Sequence, residues 1–384
     1  MKHSLSILRR PSEYKKIKKN VLLARLTTFE VGGKARFFTE AHSIEEVKEA
    51  LAFARAKSLR VFVLGGGSNV VIADNGFDGL VLAVRIRGIM TEKHDDRILV
   101  TVGSGVVWDD FVIWSIENKL FGLECMSGVP GTVGGAVVAN LGAYGAQCSD
   151  TFVSAEIIDT LRPFGRSDAE NESWEVQVIK NEECDFSYHD SMFGRESGRY
   201  VVVCATFLLS TGSTTALSYK DNRFDMASLT AELGHTPTQT EVRESVLNMR
   251  EKKSSLIMKG RRSFKSAGSF FHMPFVSQEQ YIEIVKRAKE LDARKEELLR
   301  PWAWEQPDGS YKIAPGFLLE YTKFQKGYVQ GAVGISPLHT LSIINVGDAR
   351  ASEIAELARD MKHTVEKIFN IHLEREVEYI GDIH

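Results

Sequence analysis

The sequence has few prolines, few cysteines and no excess of charge of one sign. Only 9 of its 384 residues are proline, and 43% are hydrophobic against 26% charged, so collagen-like and disordered chains are excluded. Lys and Arg number 48 against 51 Asp and Glu. The resulting net charge of -3 provides no global field for nucleic acid or a membrane surface. The length predicts two or three domains.

Cysteine is too sparse for a disulfide framework or a zinc site. The four cysteines, Cys125, Cys148, Cys184 and Cys204, lie far apart and form no CxxC pair. They are most simply reduced thiols, which predicts a cytoplasmic protein without a metal site.

The sequence also lacks a long apolar run. Its first twenty residues are basic but contain no apolar stretch typical of a signal peptide, and no segment is long enough to span a membrane. We expect residues 1–19 to form a solvated basic arm; a weak contact with an acidic partner is the alternative.

Glycine, in contrast, is abundant, with 31 residues that occur in clusters. The first cluster, Gly65-Gly66-Gly67-Ser68-Asn69, separates two apolar β-rich runs at 60–64 and 70–74. A Rossmann site or a P-loop requires a helix after the glycines, and a P-loop also requires Gly-Lys-Ser/Thr. A strand after the cluster therefore disfavours both nucleotide folds.

A second cluster at 128–145 contains Asn140 and comes after a helix predicted at 108–120. Glycine lets backbone N–H groups approach a phosphate without interference from a Cβ atom. The two loops, with Asn69 and Asn140, could therefore cradle a diphosphate. They could equally be tight turns that bind nothing.

The remaining periodicity predicts an α+β fold in which long βαβ alternation is absent. Capping boxes, Ser43 with Glu46 and Ser277 with Gln280, precede a helix after 43 and a long helix at 279–299. Residues 211–240, rich in Ser, Thr and Asn, indicate a mobile insertion. We expect a helix at 350–369 and strands at 79–84, 98–102, 153–159, 174–179, 200–209, 331–335, 340–345 and 377–380.

Ser269 lies between Gly268 and two aromatic residues, where an ordinary buried turn is one interpretation. A nucleophile elbow needs Gly-x-Ser-x-Gly, but the residue two positions after Ser269 is Phe271. Hydrolase chemistry is therefore not favoured.

Three C-terminal glutamates, Glu374, Glu376 and Glu378, would share one face of a strand. Such glutamates usually face water. Histidines such as His189 and His339 are likewise more often structural than catalytic, so these residues alone do not indicate a reaction.

Taken in order, seven segments resemble the UDP-N-acetylenolpyruvoylglucosamine reductase family. Each segment is a weak match alone, but the ordered set is specific and extends over about residues 20–381. The segments are TTFEVGGKA at 27–35, LGGGSNVV at 64–71, VPGTVGGA at 129–136, NLGAYG at 140–145, FSYHDSMF at 186–193, SAGSFF at 266–271 and LEREVEYIG at 373–381.

The resemblance implies an FAD-binding fold of the vanillyl-alcohol-oxidase type, with two α+β subdomains and an α+β substrate-binding domain. Subdomain 1 would cover 20–86, joined by the C-terminal strand 374–384. Subdomain 2 would cover 87–247, with the mobile insertion near 211–240, and the substrate-binding domain 248–373. Because this FAD-binding fold is not a Rossmann fold, it explains why a strand and not a helix follows the first glycine cluster.

The resemblance also implies a reaction. NADPH would reduce FAD and leave, and UDP-N-acetylglucosamine-enolpyruvate would then bind and be reduced to UDP-N-acetylmuramate for peptidoglycan synthesis. Ser269 matches the proton donor and Glu376 the group that stabilises the enol form. His189 occupies the position of a family arginine at the flavin and the substrate carboxylate. We expect a cytoplasmic monomer that binds neither nucleic acid nor membrane.

The remaining site residues come from the same motif matches. The residues expected to bind substrate are Tyr188, Tyr219, Lys253 and Gly268. The residues expected to bind FAD are Gly65, Gly66, Gly67, Ser68, Asn69, Pro130, Gly131, Thr132, Gly134, Gly135, Asn140, Gly142, Ala143, Tyr144 and Gly145.

The sequence departs from the family pattern at several positions. His189 replaces an arginine, Ser266 and Met273 stand where asparagine is common, and Arg375 replaces a proline. The stretch 254–265 is longer than usual.

These departures leave two alternatives. In one, His189 in its protonated form, or Arg195, supplies the missing charge and the enzyme is active. In the other, the chain is a flavoprotein paralogue that binds a nucleotide sugar without this catalysis. A sugar or alcohol oxidase with tethered flavin is a third interpretation, although Cys125 and Cys148 match no tether motif.

Overall fold

The computed structural model describes residues 16–161, 174–212, 225–253, 256–257, 264–298 and 302–383. These residues group into two compact units. Unit 1 comprises Met1–Val21, Lys34–Gly66 and Phe77–Asn248, and unit 2 comprises Leu22–Gly33, Gly67–Gly76 and Met249–His384. The borders of the three domains expected from the sequence stay a prediction.

Unit 1 begins with a four-stranded sheet in the order β1-β2-β5-β3 and one packed helix, α1. As the capping box predicts, the Ser43 hydroxyl accepts the Glu46 N–H at the start of α1. The buried face of α1 packs on β2 and β5 because its apolar residues recur at helical spacing. The elements are β1 (Lys18–Leu22), β2 (Lys34–Ala41), α1 (Ile44–Ala56), β3 (Arg60–Leu64) and β5 (Phe77–Val84).

The second sheet of unit 1 is antiparallel, with the order β11-β10-β12-β7-β6. Its longest strand, β12, pairs with β10 and β7, and the short helix α3 packs against β12. The elements are β6 (Ile89–His94), β7 (Arg97–Gly103), α2 (Trp108–Glu117), α3 (Val133–Val138), β8 (Gly142–Ala143), β9 (Ala146–Gln147), β10 (Phe152–Asp159), β11 (Gln177–Lys180), α4 (Met192–Arg195) and β12 (Tyr200–Ser210).

The insertion predicted to be mobile is partly helical. Helix α5 (Met226–Leu233) starts where the Asp225 carboxylate accepts two backbone N–H groups, and it ends at the left-handed Gly234. Helix α6 (Gln239–Lys252) comes next. The Ser- and Thr-rich composition indicated a loop here, but Asp225 and Gly234 supply the two caps of a helix. The segment 213–224 of this insertion lies outside the described residues.

Unit 2 contains a large apolar core built around Phe270, Phe271 and the buried side of α9. The Ser277–Gln280 capping box at the start of α7 forms as predicted. The elements are β4 (Val70–Ile72), β13 (Phe275–Val276), α7 (Gln278–Leu298), β14 (Ala303–Glu305), β15 (Tyr311–Ile313), α8 (Pro315–Leu319), β16 (Val329–Gln330), β17 (Val333–Ile335), β18 (Ile343–Asn345), α9 (Ala351–Phe369) and β19 (Glu378–Ile380).

Short strand β4 is held by two distant parts of unit 2. It pairs in parallel with β19, with Val71 opposite Tyr379. The next acidic residue, Asp74, accepts the N–H groups of Ala351 and Ser352 and so caps α9 from outside the helix. The short segment from β4 to Asp74 thus joins the C-terminal strand to the C-terminal helix. None of the described helices is both long enough and apolar enough to cross a membrane.

Candidate active site

The first glycine loop comes after β3 and leads into β4, which confirms the strand–loop–strand order that excludes a Rossmann turn. Inside unit 1, Gly65 and Gly66 pack directly on the second loop. A Cβ atom on Gly66 would lie 2.5 Å from Gly131 Cα, and one on Gly65 would lie 2.9 Å from Thr132 Oγ1. The sequence indicated that backbone at these glycines approaches something closely, and in the structure the two loops approach each other.

The second loop is fixed to the turn after β7. The N–H groups of Trp108, Val133 and Gly134 bond to the carbonyl oxygens of Gly131, Val106 and Ser104. Thr132 then caps α3, a helix that the sequence did not predict inside the glycine cluster. Its two half-buried glycines, Gly134 and Gly135, leave backbone accessible at the start of this helix.

Asn140 links this loop to the segment that carries His189. It is 1% exposed, its Nδ2 donates to the Ser187 carbonyl oxygen at 2.7 Å, and its Oδ1 accepts the Ser149 N–H at 3.0 Å. The side chain of Asn140 therefore organises the loop through bonds within the protein. Its predicted contact with FAD stays a prediction.

The His189 ring lies beside the second loop. A Cβ atom on Gly142 would be 3.8 Å from His189 Cε1, and the rings of Tyr188 and His189 meet edge to face at 4.4 Å. Arg195, the other cation considered for this role, binds two carboxylates, those of Asp185 and Asp190. This arrangement favours His189 over Arg195 because the Arg195 charge is already neutralised.

The loops of unit 1 fit an FAD diphosphate by their chemistry. Residues 129–145 carry no charged side chain, so none of them repels an anion. Their candidate donors are backbone amides and the Thr132 hydroxyl, whereas the side-chain amide of Asn140 already donates to Ser187. Of the remaining predicted residues, Pro130, Gly131, Gly142 and Ala143 are half-buried, Tyr144 is buried and Gly145 is exposed.

In unit 2, the structure brings the Ser269 segment beside the C-terminal glutamates. The Glu376 N–H donates to the Phe270 carbonyl oxygen at 3.0 Å, and Asn69 Nδ2 donates to the Glu376 carbonyl oxygen at 3.2 Å. Ser269 and Gly268 are half-buried. A Cβ atom on Gly268 would meet nothing within 4 Å, so the space beside this residue is open.

Glu376 differs from its two neighbouring glutamates. Glu374 and Glu378 are exposed, whereas the side chain of Glu376 is 21% exposed. Burial raises the pKa of Glu376 to about 8, although the positive charge of Lys312 acts in the opposite direction. Glu376 is therefore largely protonated at neutral pH and can donate a hydrogen bond, as a general acid or an enol-stabilising group must.

Sequence reasoning missed two residues near Glu376. His272 Nδ1 lies 3.8 Å from Glu376 Oε2, and Lys312 on β15 contributes the charge described above. His272 comes directly after Phe271, so its position next to the 266–271 motif could have identified it from the sequence. Lys312 could not have been identified in this way because it approaches Glu376 through the β13–β15 pairing.

The remaining residues predicted to bind FAD or substrate are less defined by their contacts. Gly67, Ser68 and Asn69 belong to unit 2, where Gly67 accepts the Thr28 N–H. Lys253 is half-buried directly after α6. Tyr219 lies outside the described residues.

Comparison with known proteins defines the class first. The FAD binding domain family model matches residues 35–161, and the model of the UDP-N-acetylenolpyruvoylglucosamine reductase C-terminal domain matches residues 260–380. The chain is thus an FAD-dependent oxidoreductase with a fold of the vanillyl-alcohol-oxidase type, as expected from the sequence.

Relatives over nearly the full length identify the family. The UDP-N-acetylenolpyruvoylglucosamine reductase of Thermobifida fusca is 34% identical over 94% of this chain and 98% of its own, and that of Pseudomonas fluorescens (strain Pf0-1) is 31% identical over the same shares. The crystal structure of the Thermus caldophilus enzyme has the same fold, with a TM-score of 0.60 and 23% identity over 95% of this chain and 100% of that one. The chain belongs to the UDP-N-acetylenolpyruvoylglucosamine reductase family.

The contact between the glycine loops yields the first prediction. Gly66→Ala should lower the melting temperature of the protein because its Cβ must displace the Gly131 backbone. Gly135→Ala is the matched control: its Cβ would lie 3.7 Å from Thr132 Oγ1, an ordinary contact, and alanine favours helix α3 by up to about 1 kcal/mol. Calorimetry of the two variants without FAD checks this. Equal losses of stability would contradict it.

The raised pKa of Glu376 yields the second prediction. Between about pH 5 and 8 the folded protein keeps a proton that the unfolded chain releases, so stability falls as pH rises through this range. Glu376→Gln cannot titrate, and its melting temperature should fall less over the same range. Glu374→Gln, at an exposed position, should behave like the parent. Parallel curves for all three proteins would show that Glu376 titrates normally.

Proposed function

We propose that this protein uses FAD and NADPH to reduce the enolpyruvyl group of UDP-N-acetylglucosamine-enolpyruvate to UDP-N-acetylmuramate, in peptidoglycan precursor synthesis. The proposal is carried by the position of Glu376: its backbone N–H donates to the carbonyl oxygen of Phe270, next to Ser269, and its carboxyl is partly buried, which raises its pKa to about 8. It is supported by the FAD binding domain match in the same chain and by the names of its relatives.

Bound FAD would supply the hydride that adds to the terminal carbon of the enolpyruvyl double bond. The residues of this chain would then stabilise the negative charge and supply the proton. Negative charge develops beside the substrate carboxylate, and the protonated Glu376 stabilises this enol form by donating a hydrogen bond. The Ser269 hydroxyl donates the proton to the neighbouring carbon, so hydride and proton together saturate the double bond.

His189 would pair with the substrate carboxylate in place of the family arginine. An imidazolium provides a charge of the same sign with a shorter reach, and only while it is protonated. Lys253, Tyr188, Tyr219 and Gly268 are proposed to contact the nucleotide sugar or NADPH. The second glycine loop, with Gly65 to Asn69 of the first, is proposed to hold the FAD diphosphate and flank the flavin.

The cysteines argue against an oxidase with tethered flavin. Cys125 and Cys148 are fully buried thiols, and burial raises the pKa of the Cys148 thiol, so neither is a ready nucleophile. Four reduced thiols also support a cytoplasmic location. We further propose a monomer, which sedimentation equilibrium would test.

The two half-reactions test the function and the role of Ser269 together. The purified protein should be yellow, and NADPH should bleach it in a stopped-flow instrument. The enolpyruvyl sugar should then restore the colour. In Ser269→Ala, bleaching should proceed within about twofold of the parent rate, while reoxidation should slow by about 10²- to 10⁴-fold because the proton donor is lost.

Ser277→Ala removes an exposed hydroxyl that caps α7 and so controls for a small loss of stability; well below its melting temperature it should match the parent in both steps. Reoxidation of Ser269→Ala at the parent rate would remove Ser269 from the mechanism. Colour without reoxidation in the parent would favour a non-catalytic flavoprotein, and peroxide production with covalent flavin would favour an oxidase.

The charge of His189 predicts a dependence on pH. The imidazolium is lost when His189 is deprotonated, so turnover should fall by about tenfold as pH rises from 6 to 7.5. His189→Arg keeps its charge and should not show this fall; above about pH 8 the loss of the Glu376 proton would lower the turnover of both proteins. A flat parent profile from pH 6 to 9, with His189→Arg no faster than the parent, would show that residue 189 does not supply the charge.

A further inference from the structure

Helix α6 is attached to the segment before the second glycine loop by two partly or fully buried polar contacts. Gln239 and Arg243, one helical turn apart, lie on the same face of α6. Gln239 Nε2 donates to Glu124 Oε1 at 2.6 Å and to the Leu120 carbonyl oxygen at 2.9 Å. Arg243 binds Asp109 of α2.

The Asp109 carboxylate serves two partners at once. Its Oδ1 accepts the Gly128 N–H at 2.6 Å and Arg243 Nη1 at 2.6 Å, and its Oδ2 accepts Nη2 at 2.8 Å. The side chains of Asp109 and Arg243 are 15% and 12% exposed. A bidentate pair of this kind is strong and geometrically specific. Asp109 therefore fixes the first residue of the 128–145 loop, and Arg243 fixes Asp109.

The charges of this pair matter because the glycine loop begins at Gly128. Residues 129–145 carry no charge and are proposed to hold a diphosphate. A carboxylate at the start of this loop would repel that anion if it were not neutralised, and the low exposure of the pair limits screening by solvent. Arg243 supplies the neutralising charge through two hydrogen bonds.

We propose that Asp109 and Arg243 are positioning residues for FAD: the carboxylate holds Gly128 in place, and the guanidinium cancels the charge that would oppose the diphosphate. This inference rests on the proposed function because it takes the second loop as an FAD site. It concerns affinity for FAD and requires no contact between either side chain and the flavin.

Substitutions of Asp109 and of Arg243 should therefore change the Kd for FAD by different amounts. Arg243→Gln leaves the carboxylate uncompensated and should raise the Kd for FAD at least about tenfold. Asp109→Asn keeps an oxygen acceptor for the Gly128 N–H and removes the negative charge, so its Kd should be no higher than that of the parent. The double variant Asp109→Asn with Arg243→Gln should return to within about threefold of the parent.

Gln239→Met is the matched control because it breaks the other contact of α6 and leaves Asp109 unchanged. It should lower the melting temperature while its Kd for FAD stays within about twofold of the parent. Kd is measured on each folded protein by the fluorescence of released FAD, well below the melting temperature. Arg243→Lys, which keeps the charge, should bind FAD within about threefold of the parent. If Arg243→Gln does not fold, Asp109→Asn decides the question, because the inference requires its Kd for FAD to be no higher than that of the parent.

Several outcomes would overturn the inference. They are an unchanged Kd in Arg243→Gln, an equal weakening in Asp109→Asn, and a weakening in Gln239→Met as large as that in Arg243→Gln. A parent protein that binds no FAD would instead refute the proposed function itself, so the two failures are distinguishable.

Discussion

The backbone contact between Gly66 and Gly131 is the constraint on which unit 1 depends. It brings the end of a parallel strand, β3, against a loop that is itself bonded to the turn after β7. The two sheets of unit 1 thus meet at a point where a side chain on Gly66 would collide with the Gly131 backbone. Gly65, Gly66 and Gly131 are nevertheless partly or fully exposed, so this packing leaves room for a ligand beside the loops. Gly65 and Gly66 therefore have a packing role that does not depend on a ligand.

A second set of contacts holds the backbone around Glu376. Asn69, at the end of the first loop, bonds to the backbone at Glu376, and Phe270 pairs with the same residue. The chain just before β19 is therefore held on both sides at Glu376. The Glu376 carboxyl is partly buried, and burial raises its pKa to about 8, which suits it to hold a proton at neutral pH.

The sequence predicted elements with a clear pattern of apolar and capping residues, such as the helices that begin after Ser43 and Ser277 and the strand after the first glycine loop. It also predicted the terminal helix, although the distant residue Asp74 caps that helix. It missed two helices that have local caps, because the glycines after Thr132 and the Ser- and Thr-rich composition around Asp225 and Gly234 indicated loops. For the site, motif order predicted Ser269 and Glu376, and their roles stay predictions. Neither alternation nor composition could show that Glu376 is partly buried while Glu374 is exposed, because burial depends on distant segments such as the one that contains Phe270.

His189 adopts a left-handed backbone conformation, with φ of 53°. Asn140 holds this turn by bonding to the Ser187 carbonyl oxygen two residues earlier. Valine, isoleucine and threonine are strongly disfavoured at such a position, whereas unbranched and imidazole side chains are tolerated. The backbone therefore disfavours some replacements of His189 irrespective of their chemistry. Histidine and an unbranched residue such as arginine are both tolerated, so an exchange between them does not require the turn to be rebuilt.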